Sequence, residues 1–101
     1  MYEDIIRMVF ELVMLQDSDN LKEAGGYLAG ECYVRLLTSE NPDDTALLEK
    51  LLMEIVYMPS SFVSSGCAQL NYLRYIFACG IENGVDDQIA KYVLHAAEIL
   101  N

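Results

Sequence analysis

Apolar residues recur at helical spacing along almost the whole chain. In the segment 42–57, for example, Leu48, Leu51 and Ile55 follow one another every three or four residues. This spacing places them on one face of an α-helix. No run of alternating apolar and polar residues is long enough to indicate a β-strand. The pattern therefore predicts an all-α protein.

Breaks in this pattern divide the chain into five helices. They are predicted over residues 2–16, 21–38, 42–57, 61–79 and 87–100. The connections are short, so consecutive helices are expected to be antiparallel neighbours. A chain of 101 residues has the size of one domain. The expected fold is a compact single-domain bundle, residues 1–101, of about five antiparallel helices.

The first helix is expected to lie at the centre of the bundle. It is apolar on most of its circumference, apart from a polar stripe formed by Glu3, Arg7 and Glu11. A helix that is hydrophobic nearly all round is usually buried nearly all round. The second helix is predicted to begin with a capping box between Asn20 and Glu23.

The second helix contains several glycines, which allow two interpretations of its continuity. Gly25, Gly26 and Gly30 each cost a helix interior about 1 kcal/mol relative to alanine. One interpretation is a continuous helix whose glycines allow a neighbouring helix to approach closely, and this one is favoured. The alternative is a break at Gly25-Gly26. In the fourth helix the side chains expected to face inward are Phe62, Leu70, Leu73, Ile76 and Phe77.

The charge of the chain indicates more about its possible partners than its overall composition does. The chain is 53% hydrophobic, yet it has 16 acidic and 6 basic residues and a net charge of -10. The basic residues are scattered, which argues against direct nucleic-acid binding. A strong negative field favours a basic protein partner instead.

The carboxylates predicted to bind that partner lie in the first half of the chain. They are expected to form one acidic face around the turns 17–20 and 40–44, and they are Asp17, Asp19, Glu23, Glu31, Glu40, Asp43 and Asp44. Tyr72 and Tyr75 are a second interface candidate, because tyrosine joins a large apolar area to a polar tip.

No residue pattern indicates a catalytic site, a metal site or a cofactor. Cys32, Cys67 and Cys79 are odd in number and form no CxxC pair, so we expect reduced thiols in a cytoplasmic protein. A zinc site that also used His95 would lack the usual short ligand pairs, and core packing is the preferred role for the cysteines. The first residues lack the basic region of a signal peptide, and no apolar stretch is long enough to span a membrane.

Two functions fit these observations. The first is a small acidic inhibitor, analogous in class to bacterial immunity proteins, that neutralises a basic enzyme such as a nuclease toxin by blocking its positively charged site. The second is a helical adaptor or an oligomerising subunit of a larger assembly, for example a homodimer. In that case the ridge Gly25, Gly26, Ala29 and Gly30 would pack against another copy.

Overall fold

The computed structural model describes residues 1–15, 18–58 and 66–100, apart from the side chains of 13–15, 66 and 67, and these residues form five helices. The helices are α1 (Tyr2–Leu15), α2 (Asp19–Thr38), α3 (Pro42–Val56), α4 (Gly66–Glu82) and α5 (Asp86–Leu100). These described residues contain no strand. The prediction of an all-α bundle of five helices is confirmed.

Side-chain caps fix where two of the helices begin. The Asn41 side chain accepts a hydrogen bond from the Asp43 N–H at 2.9 Å, and Pro42 takes the first helical position of α3, as predicted. The start of α2 differs from the prediction. There the Ser18 hydroxyl accepts from the Leu21 N–H at 3.3 Å. Asn20 lies inside the first turn, so the predicted capping box was wrong.

The central helix is α2 and not α1. It packs along both α1 and α4 and also contacts α3, and its Ala29, Tyr33 and Leu36 are almost completely buried. On α1, by contrast, Met8 and Leu12 are 57% and 49% exposed. The apolar surface of α1 exceeds what the neighbouring described helices can cover. The prediction made from the composition of α1 therefore overestimated how much of this helix is buried.

Close packing explains the glycines of α2, which runs unbroken through Gly25 and Gly26. A Cβ atom at Gly26 would lie 3.0 Å from the Cβ of Tyr75 on α4. At Gly30 it would lie 2.5 Å from Cys79 Sγ and 3.1 Å from the Tyr75 carbonyl oxygen. The favoured interpretation is confirmed. Since Gly26 and Gly30 are covered by α4, they are not a ridge that another copy could contact.

The second half of the chain forms a hairpin of α4 and α5 that also packs on α3 through α5. The α4 helix continues through Gly80, where a Cβ would be 3.1 Å from Ile89 Cβ, so the turn begins later than predicted. Leu73 and Ile76 are buried as expected, but Leu70 is 41% exposed. The predicted inward residue Phe62 lies outside the described residues.

Candidate partner-binding surface

The α2–α4 contact gathers carboxylates from both halves of the chain. Tyr75 packs on Gly26 and Cys79 packs on Gly30. One turn further along, the Asn83 side chain donates a hydrogen bond to Glu31 Oε1 at 3.1 Å. The contacts advance in the same direction along both helices, so α2 and α4 end in the same part of the bundle. Their successors, α3 and α5, begin there after short connections.

Six carboxylates lie in this part of the bundle, which we call the acidic end. They come from the end of α2, the start of α3, the end of α4 and the start of α5, and they are Glu40, Asp43, Asp44, Glu82, Asp86 and Asp87. All are exposed except Asp44, which is half-buried. The sequence predicted the first three. It missed the last three because the second half of the chain carries little net charge, and only the direction of α4 brings them near the others.

The remaining predicted carboxylates do not join the acidic end. Asp19 and Glu23 are exposed near the start of α2. A helix of 20 residues is about 30 Å long, so these two lie at the opposite end of the molecule. Asp17 lies outside the described residues. The expected single acidic face is therefore wrong, because a continuous α2 separates its two halves.

Glu31 lies between the two groups, half-buried against α4. Its carboxylate accepts a hydrogen bond from Asn83. Cys79, on the facing side of α4, is only 1% exposed. Burial, together with the charges of Glu31 and Glu82, raises the pKa of Cys79 to about 11. Glu31 thus contributes to the negative potential beside the acidic end, but its hydrogen bond to Asn83 gives it a structural role as well.

Within the described residues, Arg7 is the only cation that forms ion pairs. It contacts Glu54 at 2.6 Å and Glu3 at 3.1 Å, and these hydrogen bonds raise its pKa. The pairs are substantially exposed and contribute little to stability. The predicted polar stripe on α1 is confirmed, because Glu3, Arg7 and Glu11 share one face of a continuous helix. Ion pairing along the stripe joins Glu3 to Arg7 but does not extend to Glu11. No described Lys or Arg pairs with a carboxylate of the acidic end.

The two candidate tyrosines have different environments. Tyr72 is completely buried, with its ring centroid 5.0 Å from that of Phe10 and 6.4 Å from that of Tyr33. It cannot contact a partner, and the expectation that it lies on the surface was wrong because α4 turns this residue toward α1 and α2. Tyr75 is half-buried, lies against Tyr27 at 5.1 Å, and has the Arg74 guanidinium 5.9 Å from its ring centroid.

The hydroxyl groups of Tyr33 and Tyr72 are an unusual feature of the core. Neither hydroxyl has a partner at ordinary hydrogen-bond geometry, although the two phenols are close enough for a weak mutual interaction to contribute to the pKa of each. Burial raises the pKa of both phenols above the ordinary tyrosine value. Buried polar groups are normally hydrogen-bonded, so these two hydroxyls lower the stability of the core.

The thiols and the histidine do not assemble a reactive site in the described part of the chain. Cys32 and Cys79 are buried and unpaired, and burial raises the pKa of each thiol. His95 is exposed and lines a shallow groove between α3 and α5, which neither of these cysteines reaches. No group of three or more potential metal ligands occurs among the described residues. The side chain of Cys67 is not described.

An apolar groove of about 230 Å³ runs between α4 and α5. Apart from Arg74, its lining is apolar and consists of Leu70, Leu73, Phe77, Ala90, Val93, Leu94 and Ala97. Leu94 is 62% exposed and Leu70 is 41% exposed. Exposed apolar surfaces that form a concave site often bind a partner, and the sequence missed this one because it predicted that Leu70 faces inward.

No protein-family model, curated protein or solved structure significantly matches this chain. None of the described helices is both long and apolar enough to cross a membrane.

Proposed function

We propose that this protein binds a basic protein through its acidic end and acts as an inhibitor of the immunity-protein type. The partner that fits best is an enzyme with a positively charged active-site groove, such as a nuclease toxin, which the inhibitor would block. The observation that carries this proposal is the collection of exposed carboxylates at the acidic end, with no ion pair to any described Lys or Arg.

Each of these carboxylates also has an ordinary explanation. Asp43 and Asp44, like Asp86 and Asp87, lie in the first turn of a helix, where negative charge is stabilised by the helix dipole by about 0.3–1 kcal/mol per residue. That effect explains each pair separately. It does not require two helix starts and two helix ends with the same charge to lie together. Such an arrangement favours a basic surface and speeds association by electrostatic steering.

The test compares two double variants with the same net charge. D43K/D44K changes the acidic end, and D19K/E23K changes the opposite end of α2. The wild-type protein is immobilised and exposed to an extract of the native host at low salt, and the retained basic protein is identified and purified. Association rates are then measured for the three proteins at several salt concentrations, and the partner's nuclease activity is assayed.

We expect D43K/D44K to slow association by about tenfold or more, as steering requires, and D19K/E23K to change it much less. The wild-type protein should inhibit the partner, and association should weaken as salt rises. Equal slowing by both variants would assign the effect to net charge alone. A partner that keeps its full activity when bound would overturn the inhibitor function.

The alternative function, an adaptor or oligomerising subunit, is favoured by a different observation. The α4–α5 groove leaves Leu70 and Leu94 exposed to solvent. A self-associating protein would sediment as a stable oligomer whose mass is insensitive to salt, whereas the inhibitor is expected to be monomeric before it binds. For either function we propose a cytoplasmic location, on the basis of the unpaired cysteines.

A further inference from the structure

The α4–α5 groove has the shape and exposure of a helix-binding site. On α4, Leu70, Phe77 and Ile81 are seven and four residues apart and so share one face. On α5, Ala90, Leu94 and Ala97 line the opposite wall. Leu94 and Ile81 are 62% and 55% exposed. About three turns of a partner helix would cover this surface with the side chains of one apolar ridge.

Negative charge marks one end of the groove. Asp87 precedes Ala90 by three residues and Leu94 by seven, and Asp86 precedes Ala90 by four. At this spacing both carboxylates lie on the face of α5 that lines the groove. Both are exposed. Arg74 also lines the groove, but its guanidinium lies over the ring of Tyr75. Apart from Arg74, the groove is therefore apolar along its length, and it is acidic where it meets the α4–α5 turn.

We infer that the α4–α5 groove binds an amphipathic helix of the basic partner, with the apolar ridge of the helix in the groove and its basic side chains against Asp86 and Asp87. This inference rests on the proposed function and names the element of the partner that is recognised. Charge complementarity selects this occupant over a second copy of the chain. A second copy would bring the same net charge of -10 and the same two carboxylates, which repel.

The probe is a fluorescent synthetic helix of leucine and lysine, with leucines spaced to form one ridge and lysines clustered at one end. A scrambled peptide of the same composition and a peptide with glutamate in place of lysine are the controls. Binding is measured by fluorescence anisotropy to the wild type, to L70S/L94S and to D86N/D87N. The matched control is L21S/L28S, which removes two leucines of α2 that are 56% and 50% exposed.

We expect L70S/L94S to weaken binding of the ridged peptide by about tenfold or more, since each leucine contributes apolar area to the complex. L21S/L28S should change it less than about threefold. D86N/D87N should weaken binding and reduce its dependence on salt, because two charges that salt screens are removed. The scrambled and acidic peptides should bind more weakly than the ridged basic peptide.

Three results would overturn the inference: no preference for the ridged basic peptide, equal losses in L70S/L94S and L21S/L28S, or a dimer that L70S/L94S dissociates. Measurements with the captured partner separate this inference from the proposed function. If D43K/D44K slows its association and L70S/L94S does not, the groove inference fails alone. If the peptide binds in the groove but the captured enzyme is not inhibited, the proposed function fails alone.

Discussion

Replacing Gly30 by alanine should destabilise the protein, although alanine is the better helix former. In an isolated helix this change would stabilise by about 1 kcal/mol. Here the added Cβ would lie 3.1 Å from the carbonyl oxygen of Tyr75 and 2.5 Å from Cys79 Sγ. The sulfur can rotate away, but the carbonyl belongs to α4, so the two helices must separate. Overpacking of this kind costs about 1–3 kcal/mol, and tight contact with backbone favours the upper part of that range.

The expected net loss for G30A is about 1–2 kcal/mol of unfolding free energy. Urea unfolding followed by circular dichroism measures it, as a midpoint lowered by about 0.5–1 M. The control is A24G on the exposed side of the same helix, which should lose about 1 kcal/mol through helix propensity alone. A stabilised G30A would refute the close approach of α2 and α4, and with it the direction of α4 that gathers the acidic end.

Two further predictions concern the backbone at Glu40 and the buried tyrosines. Glu40 has φ 63° just after α2, a conformation that glycine adopts at no steric cost. E40G should therefore raise the melting temperature by about 2–4 °C. The control S39G changes a residue with φ -68° and should lower the melting temperature. Y72F removes a buried hydroxyl that has no hydrogen-bond partner, so unfolding free energy at pH 7 should be unchanged or rise by about 1 kcal/mol. Because the pKa of Tyr72 is raised in the folded state, the unfolded chain loses this proton first. Stability should therefore fall as pH rises above about 10, and less steeply in Y72F. A loss above about 2 kcal/mol at pH 7 would mean that the hydroxyl is hydrogen-bonded.

Local sequence was sufficient for the secondary structure and for part of the candidate surface. Asn41, Pro42 and Asp43 specify the start of α3 through contacts within four residues, and the structure agrees. The start of α2 was misplaced by two residues because Ser18 and Asn20 are both good capping residues. Glu40, Asp43 and Asp44 were predicted as partner-binding residues and lie on an exposed end of the bundle, but their role stays a prediction.

The amino-acid sequence by itself determined the net charge and predicted the five helices, since both depend on residue types and their local spacing. It favoured a close helix approach at the glycines of α2 but left a break at Gly25-Gly26 open. Only the tertiary structure decided that α2 is the central helix, that Tyr72 is buried, and that Asp86 and Asp87 lie at the same end of the bundle as Asp43 while Asp19 lies at the other end. The physical reason is that helical periodicity fixes which side chains share a face of one helix. The direction and neighbours of that helix are set by how all the faces pack together, and the acidic end and the α4–α5 groove exist only after that packing.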